Sequence, residues 1–211
     1  MQPDPIEIRV LGCLIEKQRA TPDAYPLTLN SLRLACNQST GRDPVVDFGD
    51  GDVRGALERL GRRGWTRNAS WAGSRSMKYK QVVNEALRLD EPQISLLGVL
   101  MLRGAQTPGE LKARTERLYR FGSLPEVEET LDGLIERELA ARLPRRPGQK
   151  EERYVQLLGG DDVETAEAAP REPAVSAPAP PPEAADRMAD LEQRLTLVEN
   201  ELRALRSELG A

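Results

Sequence analysis

Apolar positions in the first half of the chain recur at helical spacing and then give way to alternation. Ile6, Val10, Cys13, Leu14 and Lys17 share one stripe, which predicts a helix over residues 5–19. Its start, Asp4-Pro5-Ile6-Glu7, combines a capping aspartate, a proline in the first turn and a glutamate that can reach back to the cap. Leu29, Leu32 and Cys36 predict a second helix over 27–38, followed by a loop over 39–49. Val53, Ala56, Leu57 and Leu60 predict a third over 50–63, which Gly64 ends. Residues 65–71 and 76–83 then read as two strands joined by Ala72-Gly73-Ser74-Arg75.

The second half repeats this order. Leu11, Gly12, Leu14, Thr21 and Pro22 return 86 positions later as Leu97, Gly98, Leu100, Thr107 and Pro108. Val53, Leu57 and Leu60 return 74 positions later as Val127, Leu131 and Leu134; Tyr79 and Gln81 return 75 positions later as Tyr154 and Gln156. Nearly constant offsets argue for a duplicated unit. Helix starts are again marked, at Asp90, Thr107 and Ser123, each followed three positions later by Gln or Glu. Three helices followed by a hairpin is the winged-helix order.

Beyond the repeats the pattern changes twice. Residues 159–186 form an Ala/Pro/Glu-rich linker without apolar periodicity, and such a stretch cannot bury enough surface to fold. Met188, Leu191, Leu195, Val198, Leu202, Leu205 and Leu209 then follow at alternating spacings of 3 and 4, an unbroken heptad seam. With Met188 at position a, the pairs Arg187–Glu192, Arg194–Glu199 and Glu201–Arg206 all attract across a parallel dimer. The expectation is therefore a mainly α protein with small β-hairpin wings (α+β): tandem winged-helix domains at 1–87 and 88–158, the linker, and a coiled-coil helix over 187–211 that makes the chain a homo-oligomer through 187–209.

Three segments carry a family resemblance: Ala35-Cys36-Asn37-Gln38-Ser39-Thr40-Gly41-Arg42-Asp43-Pro44-Val45, Arg103-Gly104-Ala105-Gln106-Thr107-Pro108-Gly109-Glu110-Leu111, and Arg145-Arg146-Pro147-Gly148-Gln149-Lys150. They resemble the YceH-like proteins, an uncharacterised bacterial family. Over about residues 5–158 the resemblance implies a tandem winged-helix fold, and it implies no activity.

Charge is unevenly distributed. Residues 1–157 hold 25 Lys/Arg against 22 Asp/Glu, while residues 158–211 hold 5 against 12. A mildly basic body with an acidic tail permits nucleic-acid binding. Histidine is absent, so the commonest general base and metal ligand are missing. Cys13 and Cys36 fall on apolar helix faces and read as small packing residues. No catalytic constellation, metal or cofactor is expected. With no export signal at the start, and a longest near-apolar run, residues 94–102, too short to span a bilayer, the expected location is the cytoplasm, away from membranes.

A winged helix meets DNA with its third helix and wing. The candidate contacts in the first unit are Asn37, Gln38, Thr40 and Arg42 of the loop segment, Arg54, Arg62 and Arg63 of the third helix, and Arg75, Lys78 and Lys80 of the wing, beside Arg67. In the second unit they are Arg142, Arg145, Arg146, Lys150 and Arg153. Against them stand Asp47, Asp50 and Asp52 before and within the third helix, and Glu126, Glu128, Glu129, Asp132, Glu136 and Glu138 in the corresponding region of the second unit. Two readings follow. One is a DNA-binding transcriptional regulator or nucleoid-associated factor that self-associates through its tail. The alternative is a protein-interaction scaffold, architecturally similar to condensin accessory subunits, whose acidic helix meets a protein partner.

Overall fold

The computed structural model describes residues 2–69, 76–145 and 151–159. Among these residues the protein is a mixed α+β structure of helices with two small antiparallel sheets. In chain order the first repeat contains α1 (Pro5–Ala20), a 3-10 turn (Pro22–Ala24), β1 (Leu27–Thr28), α2 (Leu29–Cys36), α3 (Asp50–Arg62), β2 (Thr66–Ala69) and β3 (Lys78–Gln81). A short α4 (Val83–Leu87) leads to α5 (Glu91–Arg103), α6 (Pro108–Arg114), α7 (Leu124–Glu136), β4 (Ala140–Leu143) and β5 (Arg153–Gln156).

The capping signals act as their chemistry requires. Asp4 accepts from the Glu7 amide at 2.8 Å, and the Glu7 carboxylate accepts from the Asp4 amide at 3.0 Å. Asp90 and Thr107 make the same reciprocal pairs with Gln93 and Glu110, and Ser123 accepts from the Glu126 amide. Two elements differ from expectation. Leu27 and Thr28, expected in the second helix, form a strand whose partners are Tyr79 and Lys78. Thr28 instead caps α2, accepting from the Ser31 amide at 3.2 Å, so the helix starts two residues later. The strand expected to reach residue 83 ends at Gln81, because Gln81 folds its side-chain carbonyl back to accept from the Val83 amide and opens α4.

The two repeats share one core. Val10, Leu11, Leu14 and Ile15 of α1 belong to the same buried cluster as Ile94, Leu97, Leu100 and Met101 of α5. Residues Glu7 to Ile15 of α1 and Ile94 to Leu102 of α5 are all buried, which explains the near-apolar run in α5: a helix enclosed on every side needs no polar face. Glycines let the two helices approach. A Cβ on Gly12 would meet Met101 and Leu102 at 3.0 Å, and one on Gly98 would meet Ile15 at 2.8 Å. The offset of 86 that maps Gly12 onto Gly98 also maps Ile15 onto Met101, so the contacts are reciprocal, as across a two-fold axis. An Arg19–Glu91 ion pair ties the end of α1 to the start of α5. No helix among the described residues is long and apolar enough to cross a membrane. The linker from residue 160 and the heptad seam from Met188 to Leu209 lie outside the described residues.

Candidate nucleic-acid interface

Four candidates in the first repeat are committed to its own architecture. Arg42 is enclosed, its side chain 1% exposed. It donates to Glu16 at 2.6 Å, to Gln38 Oε1 at 2.8 Å and to the Ala35 carbonyl at 3.0 Å. This corrects its reading as a DNA-contacting residue: it is an internal tie between α1 and the loop after α2, and it holds Gln38 as well. Asn37 donates to the Phe48 carbonyl and accepts from the Phe48 amide, both at 2.9 Å, closing the loop over 37–48. Arg63 pairs with Glu7 at 3.2 Å and lies 5.9 Å from the centre of the Trp65 ring. Arg59 takes Asp4 at 2.6 Å and Glu7 at 3.2 Å, so the buried Glu7 carboxylate is gripped by two arginines of the α3 end.

The acidic residues around the start of α3 are likewise engaged. Asp50 pairs with Arg33 at 2.8 Å, Asp52 accepts from the Gly49 amide at 2.8 Å, and Asp47 accepts from Asn37 at 3.3 Å. Asp50 and Asp52 thereby complement the positive end of the helix dipole. Farther along the helix, Arg54, Glu58 and Arg62 occupy one exposed stripe at four-residue spacing. Thr40 is exposed in the loop.

The first hairpin presents cations on one face. In its register Arg67 stands opposite Lys80, and Ala69 opposite Lys78. Arg67, Lys78 and Lys80 thus share the outward face, while Thr66 and Gln81 are buried on the other. Like charges directly opposite in a ladder cost stability. One carboxylate, Glu85, stands 3.9 Å from Arg67, with both side chains 64% exposed.

The second hairpin differs. Arg142 pairs with Asp132 at 3.0 Å and Glu152 at 3.4 Å, and lies 5.5 Å from the centre of the Tyr154 ring. Arg145 is 3.9 Å from the same Glu152. Arg153 is buried, only 7% exposed, which removes it from the surface and corrects its reading as a DNA-contacting residue. Arg75, Arg146 and Lys150 lie outside the described residues. On α7 the residues equivalent to Arg54, Glu58 and Arg62 are Glu128, Asp132 and Glu136, all exposed. Corresponding faces of the two repeats therefore carry opposite charge.

Sequence reasoning misses a junction of two motif segments. The Asp43 amide donates to the Leu102 carbonyl at 2.9 Å, and Arg103 lies against Gly41, 3.1 Å from where a Cβ would be. Burial, then the charges of Arg114 and Arg42, lower the pKa of Arg103. Gln106 in turn exchanges backbone hydrogen bonds with Tyr154 of β5 at 3.0 and 2.7 Å. The loop after α2 thus anchors on the last turn of α5, and the second hairpin on the segment that follows it.

A duplicated α+β body with one cationic repeat face and one acidic one is the class that these observations define. Residues 4–149 match the family model described as "Protein of unknown function, DUF480", and the chain belongs to that family. It is 44% identical to a UPF0502 protein of Xanthomonas axonopodis pv. citri over 209 residues, covering 99% of this chain and 91% of the relative. A UPF0502 protein of Mesorhizobium japonicum is 46% identical over 209 residues, covering 98% and 94%. Another, from Geobacter metallireducens, is 51% identical over 156 residues, covering 73% and 71%.

Proposed function

We infer that the protein is a tandem winged-helix DNA-binding protein, a transcriptional regulator or nucleoid-associated factor, that meets the duplex with its first repeat. In this reading α1, α2 and α3 with the β2–β3 hairpin form one winged helix, and α5, α6 and α7 with β4–β5 form the other. The observation that carries the reading is the outward face of the first hairpin, where Arg67 stands opposite Lys80 with Lys78 beside them. Phosphates would relieve that like-charge opposition, and α3 adds the exposed Arg54 and Arg62, with Glu58 between them. Binding of this kind is electrostatic and largely independent of sequence. The test is the affinity of the intact chain for duplex DNA across a salt series. Changing Arg67, Lys78 and Lys80 together to Ala should weaken binding alike on unrelated sequences. It should also flatten the slope of log affinity against log salt by about 0.9 for each phosphate that is no longer neutralised. An unchanged slope would overturn the assignment of the hairpin.

The acidic stripe of Glu128, Asp132 and Glu136 favours a second reading, a protein-interaction scaffold in which α7 receives a basic partner. The two readings are compatible within one molecule, since they use different repeats.

A further inference from the structure

We propose that the loop over residues 39–42, together with Arg103, binds a phosphate group. Ser39, Thr40, Gly41 and Arg42 present four consecutive backbone amides, and none of the four has an acceptor among the described residues. The Ser39 and Thr40 hydroxyls have no partner among the described residues either, and both side chains lie on exposed positions. Gly41, at φ +71°, bends the chain in the middle of this run. A lone exposed amide is served by water, but successive amides in a bend form a concavity of positive potential that suits an anion.

Two guanidiniums are fixed against the same loop. Arg42 donates to the Gly41 carbonyl at 3.0 Å and is locked there by Glu16 at 2.6 Å. Arg103 arrives from the other repeat, and its Nη2 lies 3.1 Å from where a Gly41 Cβ would be, a space that only glycine leaves open. The bond from the Asp43 amide to the Leu102 carbonyl, at 2.9 Å, holds loop and helix in this register. A guanidinium offers paired N–H groups that match phosphate oxygens.

The carboxylates of the junction are engaged. Glu16 accepts from both terminal nitrogens of Arg42, while Glu110 accepts from Arg114 at 3.1 Å and from the Thr107 amide at 2.9 Å. Asp43, exposed and next in the chain after Arg42, is the further carboxylate here. Arg114 and Arg42 place like charge on Arg103, which an anion on the loop would relieve. A loop with a purely structural task is already held by Arg42 and by the Asp43 amide. It needs neither a run of open amides nor a second guanidinium at Gly41. The site also joins the two motif segments at 35–45 and 103–111, which the DNA reading leaves unused.

The test titrates the folded full-length chain with inorganic phosphate against chloride of equal ionic strength and follows amides 39–42 in proton–nitrogen correlation spectra. Their amide protons should move downfield and saturate together. Arg103→Ala should weaken binding about tenfold or more. Arg103→Lys, which keeps the charge and loses the fork, should fall between the two and serves if the alanine variant does not fold. Arg67→Ala with Lys78→Ala and Lys80→Ala should leave the titration unchanged, so failure here is separable from failure of the DNA reading. No saturable movement of these amides, equal movement in chloride, or wild-type affinity in both Arg103 variants would overturn the proposal. Duplex DNA in place of phosphate identifies the carrier. Movement of the same amides that the Arg103 variants diminish assigns the nucleic-acid backbone, and no movement assigns a free phosphate monoester.

Discussion

Glu138 adopts φ +56° where its counterpart in the first repeat, Gly64, adopts +74°. The two positions are related by the offset of 74 that maps α3 onto α7, and each ends its helix in the left-handed region. Glycine enters that region without a Cβ penalty, whereas other residues pay about 1–2 kcal/mol, part of it returned because glycine loses more chain entropy on folding. Glu138→Gly should therefore stabilise the protein by about 0.5–1 kcal/mol. Urea denaturation measures it, and a lower midpoint at unchanged slope would contradict the argument. Such a site is visible in sequence only when the repeats are aligned. Arg42 is harder to place. Its loop position suggests a surface cation, and nothing local reveals that its carboxylate partner is Glu16 on α1. Arg153 misleads for a similar reason: all four residues of β5 are buried, and nothing along the chain says that both faces of that strand are enclosed.

At the scale of elements the α1–α5 crossing is the most consequential contact. The reciprocal placement of Gly12 and Gly98 against Met101 and Ile15 leaves no room for a methyl group. Gly98→Ala would drive its Cβ into the branched methyl of Ile15, which cannot swing away, at a cost of about 1–3 kcal/mol. Because the core is continuous, the destabilisation should appear as one earlier transition reporting on both repeats. Separate melting of the two repeats would contradict a shared core. Helix starts are legible because Asp4, Asp90, Thr107 and Ser123 act locally, through amides three residues away. The crossing itself is not, since equal spacing of Gly12 and Gly98 reveals a repeat without revealing that the two copies face each other. β1 and α4 escape a reading of periodicity because each is only a few residues long and is defined by a distant partner strand or a single side-chain hydrogen bond.

The molecule as a whole joins two like folds with unlike surfaces. Arg54 and Arg62 on α3 are matched by Glu128 and Glu136 on α7, and the first hairpin gathers Arg67, Lys78 and Lys80 on one face while in the second Arg142 and Arg145 share Glu152. On the proposed reading, such divergence would let one repeat face an anion and free the other for a different role. The proposed tail adds a third property. A parallel coiled coil over 187–209 would tether two bodies and raise their effective concentration on neighbouring DNA sites. Leu195→Asp with Leu202→Asp in the full chain should then lower the sedimenting mass to that of a monomer, and an unchanged mass would remove the tail from the assembly. The central claim, that the first repeat and not the second meets DNA, is tested most directly by reversing charge at equivalent positions and measuring duplex affinity at about 50 mM salt. Arg54→Glu with Arg62→Glu should cost about tenfold or more in affinity, ~1.4 kcal/mol, while Glu128→Arg with Glu136→Arg leaves affinity equal or higher. Equal losses from both pairs, or no binding by the unaltered chain, would contradict it.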